Sequence, residues 1–190
     1  MARAGVTAER LTRAAADLAD EIGFQNVTVS ALARGFDVKP AALYAHVKDL
    51  QDLRVRVAEL ALTELADRAA AALAGRSGKD ALVAFAHVYR DYAKQHPGRY
   101  YAAAQIELDP ETAATSSAHR NAEMTRAILR GYELSDPDQT DAVRLLGSIF
   151  HGYVSLETAG RFDRHPRDVD ASWSRALDAL DVLLRHWPPA

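Results

Sequence analysis

Residues 39–50, KPAALYAHVKDL, gather a phenol (Tyr44), an imidazole (His46) and two ammonium groups (Lys39, Lys48) around small alanines. Hydroxyl, ring N–H and ammonium all donate hydrogen bonds, and Lys offers no acceptor. Such a set suits phosphate oxygens, whose contacts fix register along a duplex rather than read bases. The alanines add a second property. A helix carrying them can bring its backbone close to base edges, and an alanine methyl such as that of Ala41 can touch a thymine methyl. Taken singly, Tyr44 fits a half-buried aromatic, His46 a helix-end histidine and Lys48 a solvated charge; it is their combination that favours DNA. Catalytic constellations are missing. No HxxxH, HExxH, GxSxG, P-loop or dinucleotide glycine pattern occurs, and His151 and Glu157 are too far apart to meet on a helix. There is no cysteine, so neither a disulfide framework nor a thiolate metal site is possible. No catalytic residue, metal or cofactor is expected.

The elements that must position this stretch are short helices. Thr7 caps a first helix whose apolar positions Leu11, Ala15, Leu18 and Ile22 form one stripe, closed by Gly23. Thr28 opens a second, with Leu32 and Ala33 inward, and its first N–H groups could hold a phosphate. The turn wants a residue that tolerates positive φ, and Asp37 occupies it. Pro40 suits the first turn of a third helix, where its missing N–H is harmless. At roughly 100° per residue, Leu43 and Val47 point inward while Ala41, Tyr44, Ala45 and Lys48 share the opposite face. Asp49 then caps a long fourth helix through Leu53, Val57, Leu60 and Leu65 to about Ala74.

The whole chain reads as all-α, with about nine helices and no strand-like alternation. Its 190 residues, 48% hydrophobic, suffice for one domain or two small ones. The expected division is a helix-turn-helix domain at 1–50 and a helical sensing and dimerisation domain at 51–190. Breaks fall at 75–79 (GRSGK), 96–98 (HPG), 135–138 (SDPD) and 164–168 (RHPRD), and a helix is predicted to start at 109–111. Net charge is −3, which excludes a wholly basic coat protein, yet residues 1–48 hold six basic and five acidic side chains. MARAGVTAERL lacks a secretion-signal core, and no apolar run approaches the ~18 residues of a membrane span, so a cytoplasmic location without membrane contact is expected.

Two further sets concern the C-terminal part. Phe85, Tyr89, Tyr92, Tyr100, Met124, Phe150 and Tyr153 could line a cavity for a largely apolar small molecule, or be plain core. His87 falls on the outer face of its helix. Trp173, Leu177, Leu180, Leu184 and Trp187 recur at heptad-like steps, as in a two-fold interface shared with a 138–161 helix, or as in a core stripe. Gly147 and Gly152 in that partner helix each cost about 1 kcal/mol, which a close-approaching backbone or ligand, or a kink, would explain.

AAADLADEIGFQNVTVSALARGFDV followed by KPAALYAHVKDLQDL resembles the DNA-binding head of the TetR family of bacterial transcriptional regulators, most specifically at LYAHV (43–47). FHGYVSLETAGRF (150–162) and HPGRYYAAAQ (96–105) resemble the WHG-type sensor domain of part of that family, with Phe150 in place of tryptophan. The resemblance implies an all-helical homodimer with a ligand-sensing body, and places Thr28, Lys39, Pro40, Ala41, Tyr44, His46 and Lys48 at or near double-stranded DNA. It implies a repressor on a roughly palindromic operator, released by a small effector. Two positions depart from the family pattern: the turn glycine is Asp37, and a phosphate-contacting lysine is replaced by Leu50. A dimeric helical interaction protein without DNA binding, or an enzyme, are the other readings.

Overall fold

The computed structural model describes residues 6–107 and 117–188. These residues are almost wholly helical and contain no strand. The helices are α1 (Ala8–Ile22), α2 (Val29–Phe36), a 3-10 helix (Pro40–Ala45), α3 (Leu50–Leu73), α4 (Gly78–Gln95), α5 (Pro97–Gln105), α6 (Ser117–Leu129), α7 (Asp136–Thr158) and α8 (Val169–Arg185). The start predicted at 109–111 lies outside the described residues.

The chain forms two compact units. The first runs to Glu64 and takes in Gln95–Ala118; the second holds Leu65–Lys94 and the chain from His119 onward. The unit that carries the N-terminal helices therefore also owns α5.

In the first unit the caps act as their residue types dictate. The Thr7 hydroxyl accepts from the Arg10 N–H, and that of Thr28 from the Ala31 N–H. The Asp49 carboxylate accepts from the Asp52 N–H at the start of α3. Leu11, Ala15, Ala16 and Ala19 form the buried face of α1. Ile22, predicted to close the stripe, is 43% exposed, because the inward face turns through the alanines instead. These side chains pack on Phe24, Leu32, Leu43, Val47, Leu53, Val57 and Ala102.

Gly98 and Arg99 tie α5 into this core. A Cβ at position 98 would overlap the Ala19 carbonyl and fall 2.6 Å from the Asp20 nitrogen, so the α5 and α1 backbones meet with no side chain between them. Arg99, almost buried, pairs with Asp17, with Asp20 (Nε to carboxylate, 3.2 Å) and with Glu64 (3.2 Å), linking α5 to α1 and α3. Asp20 also accepts from the Arg99 backbone N–H at 2.9 Å and lies 3.0 Å from His96 Nδ1.

The second unit closes on Leu82, Phe85, Leu129, Leu146, Phe150, Trp173, Leu177 and Leu184. Its buried cation is Arg90, which donates twice to Glu157 (2.6 and 2.7 Å) and once to Asp170 (2.6 Å), joining α4, α7 and α8. The guanidinium also lies over the Trp173 ring at 5.7 Å. Those hydrogen bonds from Arg90 hold the Glu157 carboxyl below its ordinary value.

Candidate functional site

The stretch at 39–48 is shaped by its two ends. The C-cap of α2 is Asp37, left-handed at φ 55° and ψ 46°, as the turn requires. Its N–H and that of Val38 return to the end of α2 (Asp37 to Arg34 O, Val38 to Ala33 O), so the chain reverses tightly. Pro40 then opens a helix of the 3-10 type rather than the expected α-helix. In a 3-10 helix residues three apart eclipse one another. Leu43 is buried, and His46 beneath it is half-buried. The rows Ala41–Tyr44 and Ala42–Ala45 both face solvent. The Val47 N–H reaches back to the Leu43 carbonyl at 3.3 Å, and Val47 is again buried. Two anchors thus hold a helix whose remaining surface is outside.

Thr28, Lys39, Pro40, Ala41, Tyr44 and Lys48 are all exposed, Tyr44 by 52%. Among the described residues, the Tyr44 hydroxyl, the His46 ring and the Lys39 ammonium make no hydrogen bond or ion pair, and the Lys48 ammonium makes no ion pair. The Lys48 backbone N–H is used locally, donating to Asp52 at 2.9 Å. The arrangement is a small-residue surface with uncommitted donors around it, which can dock a polyanion. Leu50, the first residue of α3, is half-buried and presents no charge to that surface.

The chain is similar to known proteins. Residues 82–180 match the tetracyclin repressor-like C-terminal domain model. The chain is 32% identical over 162 residues to the uncharacterised HTH-type transcriptional regulator YobS of Bacillus subtilis, covering 85% of this chain and 84% of that protein. The chain belongs to the TetR family. A second relative, the uncharacterised HTH-type regulator Rv0681 of Mycobacterium tuberculosis, is 35% identical over 186 residues, covering 96% of this chain and 80% of that one. The fold is shared with a possible TetR family regulator of Streptomyces coelicolor (TM-score 0.72, 21% identity, 95% and 100% of the two chains). A TetR variant of Acinetobacter baumannii in complex with minocycline gives TM-score 0.73 at 21% identity, covering 98% and 100%. The protein is a transcriptional regulator of this family and not an enzyme. No described helix is long and apolar enough to cross a membrane.

Two expected residue sets in the TetR-family body, each readable as site or as core, are placed as follows. Phe85, Tyr89, Phe150, Tyr153 and Trp173 form one packed aromatic chain, with ring centroids 4.7 to 6.4 Å apart. Tyr92 is fully buried, with Arg68 over its ring at 4.9 Å, and Met124 is half-buried against the same core. Tyr100 lies in the first unit, its hydroxyl pushed up to about 12 by burial. Most of the set is core, because rings at helical spacing fill an interior before they line a space. Tyr153 differs: it lines a cavity of about 400 Å³ beside the loop between α7 and α8.

The heptad-like row is also inward. Trp173, Leu177, Leu180 and Leu184 are buried within their own chain, and the half-buried Trp187 donates its indole N–H to Asp138 at 3.1 Å. Trp173, Leu177, Leu180 and Leu184 thus pack on their own chain, the core-stripe reading of this row. The same period marks the core stripe of any amphipathic helix. The exposed apolar side chains on these helices are instead Leu156 (48%), Val182 (57%) and Leu183 (42%). Gly147 and Gly152 have nothing beyond their own helix turn within 4 Å of where a Cβ would stand.

Arg99 and its carboxylates escape a reading of the sequence, since they are scattered over the chain and individually resemble surface charge. The segment around 164–168 is more than a break: RFDRHPR (161–167) sets an arginine at every third position.

Proposed function

We propose that the protein is a homodimeric, ligand-responsive repressor acting in the cytoplasm. The 3-10 helix Pro40–Ala45 enters the major groove, its alanines against base edges. Thr28, Lys39, Tyr44, His46 and Lys48 hold flanking phosphates. The observation that carries this reading is the unburied surface from Lys39 to Lys48, whose side-chain donors are uncommitted among the described residues. The domain division at residue 50 belongs to the same reading.

A two-fold pair would place two such surfaces about 34–36 Å apart, so the operator is roughly palindromic. Joining two weak half-site contacts raises affinity through effective concentration. The outward apolar side chains Leu156, Val182 and Leu183 support α7 and α8 as the dimer face. A small effector favours a conformation of the second unit that DNA disfavours, and coupling of about 1–3 kcal/mol gives roughly 5–150-fold relief. The lever is α3, whose N-terminal end directly follows the DNA surface.

Selection of bound duplexes from a random pool tests the whole reading. A roughly palindromic consensus is the expected result; no enrichment would leave the interaction-protein alternative. Tyr44→Phe and His46→Ala should weaken binding to all sequences alike, since phosphate contacts carry no base preference.

A further inference from the structure

The cavity of about 400 Å³ beside Tyr153 is lined by Tyr153, Phe162 and Val169 on its apolar side and by Arg161, Arg164, Arg167 and His165 on its polar side, with Ser172. We propose that it binds an amphipathic anion: a carboxylate or phosphate head held by the arginines, with a hydrocarbon or aromatic body lying on Tyr153 and Phe162.

The first argument is charge. No carboxylate lines the cavity, and among the described residues Arg161, Arg164 and Arg167 form no ion pair. Elsewhere Arg13, Arg56, Arg90, Arg99, Arg120, Arg126, Arg144 and Arg185 are paired with Asp or Glu; Arg34, Arg54, Arg76, Arg130 and Arg175 form no ion pair among the described residues either, but none of them lines this cavity. Three like charges gathered on one small cavity repel one another, in a chain whose net charge is −3. An anion relieves that repulsion, and guanidinium suits carboxylate and phosphate because its donors form a planar fork.

The second argument is order. The Arg161 N–H donates to Leu156 O at 2.9 Å, the Asp163 N–H to Gly160 O at 3.4 Å and the His165 N–H to Phe162 O at 3.3 Å. The Arg167 N–H donates to His165 Nδ1 at 3.2 Å. The apolar side is equally fixed: Tyr153 packs against Phe162, the rings tilted at 59° with centroids 4.9 Å apart, and donates its hydroxyl to Val169 O at 3.1 Å. The arginines therefore stand on a turn already folded by its own backbone, and little need be ordered when a ligand arrives. The volume lies within the ~300–1,000 Å³ typical of small-molecule sites.

Trp173 lies 4.7 Å from Tyr153, so its fluorescence should report occupancy of the cavity. The test titrates the full-length protein, without DNA, with decanoate, decyl phosphate, decanol and decyltrimethylammonium, followed by Trp fluorescence and calorimetry. Decanoate or decyl phosphate should bind about tenfold or more tightly than decanol, since one charge-assisted contact suffices for that ratio. The two anions together show which head the site prefers. The cation should not bind. The variant R161Q/R164Q/R167Q should lose that advantage, leaving decanol unchanged, while R175Q, an exposed arginine outside the cavity, should behave as wild type. F162A should weaken all apolar ligands alike. Equal binding of decanoate and decanol, or a triple variant that binds decanoate as wild type does, would overturn the proposal.

That such an anion is also the effector rests on the repressor reading above. It is tested separately by adding decanoate to the protein–operator complex. Binding without release from DNA would remove only the effector role, and absence of binding would leave operator recognition standing.

Discussion

Arg99 and Arg90 on one side, and Arg161, Arg164 and Arg167 on the other, show two uses of the same side chain. Each of the first two is buried and surrounded by carboxylates from helices distant in sequence: Asp17, Asp20 and Glu64 around Arg99, Glu157 and Asp170 around Arg90. The loop arginines are exposed, and no ion pair joins them to an acid among the described residues. A guanidinium withdrawn from water must be paired, because its hydration is not otherwise replaced. One left at the surface keeps its hydration and remains available. Burial with partners makes a joint, whereas the loop arginines, gathered on one cavity, are the receptor proposed above.

This contrast can be broken at either side. The largest effect is expected for Arg99→Ala and Arg90→Ala, which strand several carboxylates. Each should lower unfolding free energy by about 3–5 kcal/mol, read from the urea midpoint. A loss no larger than at an ordinary surface arginine would end the distinction. Gly98→Ala comes next. Its methyl group has only backbone to displace, so about 1–3 kcal/mol should be lost, and the variant should free α5 for faster amide exchange.

A pH series sharpens the Arg90 joint. Glu157 is held below its ordinary 4.5 by Arg90, so its contribution to stability is full above that pH and is lost as pH falls through the folded value. Glu157→Gln should therefore be less stable than wild type at neutral pH, with the gap closing as pH is lowered beneath 4.5. A gap independent of pH would remove the charge from the account. The smallest effect is expected for R161Q/R164Q/R167Q, within about 0.5 kcal/mol of wild type in stability. At the DNA surface, Lys39→Ala should leave folding unchanged and reduce the salt slope of operator binding by about 0.9 for each phosphate that is no longer neutralised.

The first unit was more legible in the sequence than the second for a physical reason. Leu43 and Val47 are the only strong apolar residues between Lys39 and Lys48, so everything else there had to face outward. The helix type was not legible, because six residues pinned between a left-handed turn and a buried valine follow their ends rather than their own propensity. In the second unit apolar rows abound. The period through Trp173 and Leu184 is the same whether it meets a core or another chain, and no local signal separates the two. The Arg99 joint was illegible because its members lie far apart along the chain and none looks unusual by itself. The α7–α8 loop did carry a signal, arginines at a constant step, but proline beside histidine makes the same residues look like a simple break.

Gly98 has a mechanical corollary. Most helix pairs touch through side chains, which change rotamer and absorb a small shift as a cushion does. Where α5 lies on α1, main chain bears on main chain. A displacement of α5 along that seam has no soft material to compress and is passed on to α1.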